Sequence, residues 1–111
     1  VFLGMKKITD EKKAKLVVLF IPSEFQINPR TKNPLAKALL PSDLDYPNNE
    51  FSAFFRENDI DYLDVTGKFR EVTNSQLYFK EDNHWNEAGH KLAGEMLSEK
   101  LQEYFDNTGI K

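Results

Sequence analysis

The chain has 111 residues, 40% hydrophobic and 30% charged, with a formal net charge of −3 and no cysteine. That size fits one domain or part of one, with enough apolar content for a core without disulfide or metal staples. The composition argues against disorder and against nucleic acid as a partner, and it excludes thiolate metal sites and cysteine nucleophiles.

The sequence opens Val1-Phe2-Leu3-Gly4-Met5, with no initiator methionine and no signal-peptide pattern. It reads as the inside of a longer protein, so residues 1–111 are expected to form one C-terminal fragment of a domain. Residues 1–13 suggest the end of a helix followed by a turn at Thr9-Asp10. Next comes Lys15-Leu16-Val17-Val18-Leu19-Phe20-Ile21, continuous, β-branched and aromatic, stopped by Pro22. Such a run predicts a strand buried on both faces, as in a parallel sheet. It is also the longest apolar stretch, far short of the ~20 residues of a membrane-spanning helix.

All five prolines lie in residues 22–48. This segment reads as loop, with one short helix at Leu35–Leu40 between Pro34 and Pro41. Asn48 or Asn49 can cap a helix running to about Asn58, with Phe51, Phe54 and Phe55 as a core stripe at i, i+3, i+4 spacing. Ile60–Val65 reads as a second strand, and Thr66 as the N-cap of a short helix through Phe69 and Val72. Asn86 caps a long helix ending near Asp106, where Asn107 and Gly109 stop it. Ala88, Leu92, Ala93, Met96, Leu97, Leu101, Tyr104 and Phe105 keep near-helical spacing along it. The order is that of an α/β domain with a parallel sheet. Two strands alone leave open edges, so further strands are expected from elsewhere in the protein or from a second chain.

The chemistry concentrates in Asp82-Asn83-His84-Trp85-Asn86. A carboxylate two positions from a histidine can hold the imidazole through an Nδ1–H bond and stabilise the imidazolium. The second ring nitrogen is then free to deprotonate a serine hydroxyl, which is the base half of a nucleophilic triad. The same string also serves ordinary loop and capping roles. Asp82, His84 and His90 together could make a metal set, but the two histidines lack the i, i+4 spacing of helical zinc motifs. Trp85 reads as a core anchor rather than a lid. Gly89 reads as a site of close helix packing, His90 as a helix-face residue, and Asp64 as a capping or loop hydrogen-bonder.

The string from Leu77 through His90, followed by Leu92-Ala93 and a Leu-rich helix, resembles the last conserved block of the SGNH/GDSL hydrolase superfamily. The Asp-x-His-Trp form is most similar to the branch that includes alginate and peptidoglycan O-acetyltransferase-like proteins. The resemblance implies a flavodoxin-like three-layer α/β/α fold, present here in part, with its N-terminal strands missing. It implies His84 as general base and Asp82 as its orienting acid; Glu81, three before His84, is the other candidate for that acid. It implies an ester or O-acetylated carbohydrate substrate, an exported or cell-envelope location, and no metal or organic cofactor. The family's nucleophilic serine follows a Gly-Asp-Ser-like turn, and no such turn occurs in this sequence. Ser52 and Ser98 fall in predicted helices, and Ser42 and Ser75 in polar loops. Ser23 lies just past a strand end, where α/β sites assemble, yet lacks the glycines of a nucleophile elbow. The expectation is a chain that carries the His/Asp half of a triad and is inactive alone. The alternative is a non-catalytic binding module that forms a homodimer through its exposed strand.

Overall fold

A computed structural model describes residues 1–28, 41–72, 76–80 and 82–108. Helix α1 (Phe2–Glu11) leads into strand β1 (Val17–Phe20) and a one-turn helix α2 (Glu24–Ile27). Helix α3 (Pro41–Glu57), strand β2 (Asp61–Asp64), helix α4 (Thr66–Glu71) and helix α5 (Glu87–Thr108) follow. The two strands pair in parallel, from Val17 opposite Asp61 to Phe20 opposite Asp64. The expected α/β class and parallel pairing are both present.

Side chains alternate across a sheet, so this register sorts the helices into layers. Leu19 and Leu63 point to one face and pack on a core of Val65, Phe69, Leu77, Tyr78, Trp85 and Ala93, which α4 with the residue before it, α5 and the loop between the two helices supply. Phe20 and Tyr62 point to the other face. There they meet the rings of Phe51 and Phe55 on α3, with Phe2 of α1 edge-on to Phe55 at 5.0 Å. This is a helix–sheet–helix sandwich about two strands, the partial three-layer arrangement expected. The Phe stripe is core only in part: Phe55 is buried, Phe54 is half-buried and Phe51 is exposed.

Several expectations need correction. Every residue of β1 and β2 is half-buried rather than buried, because among the described residues each strand is paired along one edge only. Helix α1 runs through Thr9 and Asp10. The Thr9 hydroxyl bonds back to Met5 O, and Lys6 pairs with Asp10 one turn on, so both residues are spent inside the helix. The turn falls at Lys13, whose φ of 55° is left-handed. Asp59, also at φ 55°, breaks the chain between α3 and β2, close to the expected Asn58-Asp59 stop. Helix α3 begins at Pro41, not Asn48, and takes in Ser42, which was expected in a loop. Proline fits a first helical turn, whereas Pro47 sits in the interior and removes one amide donor. Thr66 is the first residue of α4 rather than its cap; Asp64 Oδ1 accepts the Thr66 N–H at 3.0 Å instead. Helix α5 continues through Asn107 to Thr108. The short helix expected at Leu35–Leu40, together with Ser75, Glu81 and Gly109, lies outside the described residues.

Asn86 caps α5 as expected, its Oδ1 accepting the Gly89 N–H at 3.0 Å. Gly89 is required there: a Cβ would stand 2.3 Å from Leu77 O and 2.9 Å from Trp85 Cβ.

Candidate active site

Two short segments meet antiparallel ahead of α5. Tyr78 bridges to Trp85, flanked by Phe79 N–H to His84 O at 3.0 Å and Asn86 N–H to Leu77 O at 2.9 Å. This register fixes the direction of each side chain. Tyr78 and Trp85 form one cross-strand pair and are buried. Phe79 and His84, one step along, emerge on the opposite side and are exposed. Trp85 is thus the core anchor, its ring 5.2 Å from that of Phe69. Burying Trp85 and Tyr78 is what turns His84 outward.

His84 Nδ1 is in hydrogen-bond contact with Asp82 Oδ1, and the same oxygen accepts the His84 backbone N–H at 3.1 Å. A carboxylate accepts, so Nδ1 carries the proton in that contact. The bond from His84 holds the Asp82 carboxyl below the usual carboxylate range, and the positive charge of a protonated ring adds to the effect. The His84 side chain is 84% exposed, so Nε2 is open to approach. Arranged this way, the pair can take a proton at Nε2 while a fixed negative charge faces Nδ1.

The pair sits at the C-terminal ends of the two parallel strands, where ligand sites of open α/β sheets form. Tyr78 O–H donates to Pro22 O at 2.8 Å, just beyond β1. The Glu24 N–H donates to Asn83 Oδ1 at 2.7 Å, at the start of α2. Ser23, next to this junction, is not presented as a nucleophile. Its hydroxyl accepts the Gln26 N–H while Gln26 Oε1 accepts the Ser23 N–H, a capping box that sets the first turn of α2. Ser52 and Ser98 lie within α3 and α5.

Beneath α2 lies a polar cluster that the sequence reading did not foresee. Gln26 Nε2 donates to Asn48 Oδ1 at 2.7 Å and to Leu44 O at 2.9 Å. Asn48, only 6% exposed, donates onward to Asp64 Oδ2 at 2.8 Å and Thr66 Oγ1 at 2.9 Å. Asp64 therefore has the loop hydrogen-bonding role that was expected of it. The Ser23-x-x-Gln26 spacing is a capping signature readable in the sequence; the partnership with Asn48 is a product of the fold.

His90 lies on the exposed face of α5, its ring edge-on to Trp85 at 5.6 Å. Among the described residues no three His, Asp or Glu side chains are placed together to hold a metal ion, so Asp82, His84 and His90 are not assembled as a ligand set. No helix among them is long and apolar enough to cross a membrane.

A parallel α/β layer whose acid and histidine stand in the loop before the last helix has the plan of an SGNH-type hydrolase domain. A family model described as the SGNH hydrolase-like domain of acetyltransferase AlgX matches residues 5–109, and the chain belongs to that family. No curated protein and no solved structure gives a significant match.

Proposed function

We propose that this chain carries the proton-transfer half of a serine-type acyl hydrolase or O-acyltransferase that acts on ester-linked acyl groups, acetyl on a carbohydrate in particular. His84 is the general base and Asp82 its orienting acid. The observation that supports this reading is the His84 imidazole bonded to a carboxylate through Nδ1 and exposed on its other side, in a member of an acyl-modifying family.

In this mechanism His84 Nε2 takes the proton of a serine hydroxyl as its oxygen bonds to the ester carbonyl carbon. Asp82 stabilises the imidazolium so formed. The tetrahedral intermediate collapses, the carbon–oxygen bond to the alcohol breaks, and His84 returns the proton to that alcohol. The acyl-serine then passes its acyl group to water or to a sugar hydroxyl, with His84 again acting as base.

On this reading the nucleophile and the oxyanion donors are supplied from outside residues 1–111, which contain no Gly-Asp-Ser-like turn. The 111-residue chain alone is then inactive on p-nitrophenyl acetate. A longer protein that supplies the serine nucleophile is active and loses about a thousandfold or more with His84→Ala. Esterase activity of the purified 111-residue chain, abolished by His84→Ala, would overturn the division of the triad.

Among the described residues β1 is paired along one edge only, which favours a second reading, a non-catalytic module that dimerises by strand pairing. Light scattering separates the two, since a monomer across the micromolar range counts against it.

A further inference from the structure

The capping box of helix α2 does not reach the Glu24 amide, which is left for something else to satisfy. A helix start has four amides without intrahelical partners. The Ser23 cap takes the Gln26 N–H, and Gln26 Oε1 takes the Ser23 N–H. The Glu24 N–H is met from 59 residues away by Asn83 Oδ1 at 2.7 Å. The first turn of α2 is itself well anchored. Gln26 bonds to Asn48 and Leu44, Arg70 Nε donates to Gln26 O at 3.0 Å, and Asn48 reaches Asp64 at the end of β2 and Thr66 at the start of α4. The Glu24 amide is therefore a fixed point tied to the ends of both strands.

The segment it holds is not anchored in this way. Asp82, Asn83 and His84 are all exposed. Among the described residues, their other hydrogen bonds stay within the loop: Asp82 N–H to Phe79 O at 3.2 Å, Phe79 N–H to His84 O at 3.0 Å, and the contacts between Asp82 and His84. Asn83 stands between the acid and the base, so fixing its side chain restricts the backbone on both sides.

We propose that Asn83 is a positioning residue: by accepting the Glu24 N–H, it locks the loop in the form that holds the His84 imidazole against Asp82. This rests on the reading of His84 as the base, but its test needs no catalysis. A false result here leaves that reading to the activity assay of the longer protein.

The test uses the full 111-residue chain labelled with nitrogen-15, and two variants that cut the same bond from opposite ends. Asn83→Ala removes the acceptor. Glu24→Pro removes the donor and suits the backbone, and its Cδ, standing where the amide hydrogen pointed, turns the Asn83 side chain away. Glu24 is the first helical residue, where proline is favoured, and Ser23 before it lies at φ −76°, ψ 156°, a conformation compatible with a following proline. Asn83→Asp keeps an acceptor oxygen and serves as the rescue.

In the parent chain the His84 nitrogen shifts report the Nδ1–H tautomer. Both cutting variants move them towards a mixture of tautomers, and Asn83→Asp restores the single form. In Asn83→Ala the Glu24 amide exchanges with solvent about two- to tenfold faster, the loss of one ordinary hydrogen bond. If exchange at Glu24 rises but the His84 tautomer is unmoved in both variants, Asn83 only caps α2 and the proposal is overturned. It is equally overturned if neither readout moves, or if Glu24→Pro leaves His84 unchanged while Asn83→Ala does not.

Discussion

Helix α5 offers one substitution at two sites with opposite expected signs. At Gly94 nothing stands within 4 Å of an added Cβ, so Gly94→Ala gains only helix propensity, up to about 1 kcal/mol. At Gly89 the same methyl would lie 2.3 Å from Leu77 O, and ordinary contact begins at 3.4 Å, so the two must part by about 1 Å. Leu77 O cannot yield freely, because it accepts the Asn86 N–H at 2.9 Å and so closes the turn that starts α5. On the other side stands Trp85 Cβ, part of a packed ring cluster. Overpacking of this kind costs about 1–3 kcal/mol, and loss of the Asn86 bond adds about 1 kcal/mol. Gly89→Ala should be destabilised by about 1–3 kcal/mol after its small propensity gain, while Gly94→Ala is neutral or stabilised. Urea unfolding followed by circular dichroism at 222 nm reads both variants against the parent, with equal slopes expected. A Gly89→Ala protein as stable as the parent would show that the junction of loop and helix is not packed as described.

Tyr104 O–H bonds to Asp61, and burial first, then that carboxylate, raise its phenol well above the ordinary value of about 10. The neutral phenol is the form the fold favours. Its stabilising contribution is complete below about pH 10 and is lost as pH rises through the raised folded value. Tyr104→Phe should lower stability at neutral pH and flatten its alkaline decline; an unchanged decline between pH 9 and 12 counts against the pairing. Asp82 behaves in the opposite sense, because its lowered value gives stability that is present above about pH 4 and lost on acidification. His84→Ala should raise the Asp82 carboxyl back towards the ordinary carboxylate range in a carbon-13 titration, and a carboxyl still held low would mean that His84 is not its main partner. Asn48→Ala leaves Gln26 and Asp64 short of a partner at a buried site and should cost about 2–3 kcal/mol in urea unfolding. A loss under 0.5 kcal/mol, on the order of a surface change, would show that the cluster does not stabilise the fold.

The parts of this fold that were legible in the sequence are those with a strong local signal. The apolar run before Pro22 and the stretch Ile60–Val65 marked both strands, and Asn86 ahead of a periodic apolar helix marked α5. The Asp82–His84 contact was legible too, because it needs only two residues in one loop. What escaped was set by tertiary partners. Asn48 looks like a cap in sequence, yet α3 starts a turn and more earlier and Asn48 faces Asp64 and Thr66 from inside it. Thr66 looks like a cap as well, but Asp64 is already placed to take its amide. The continuous apolar strand suggested full burial, but among the described residues each strand is paired along one edge only. Asn83 carried no signal of its own, since its partner is a backbone amide 59 residues distant.

The only tryptophan in the sequence is Trp85, and the fold sets it back to back with His84. Its indole contacts Phe69 on one side and His90 on another, and its cross-strand neighbour Tyr78 reaches Pro22. The protein thus has a built-in optical reporter one residue from the imidazole. A ligand or a second polypeptide that reshapes the loop should change the emission of the unlabelled molecule, and stopped-flow mixing could time the event without a dye.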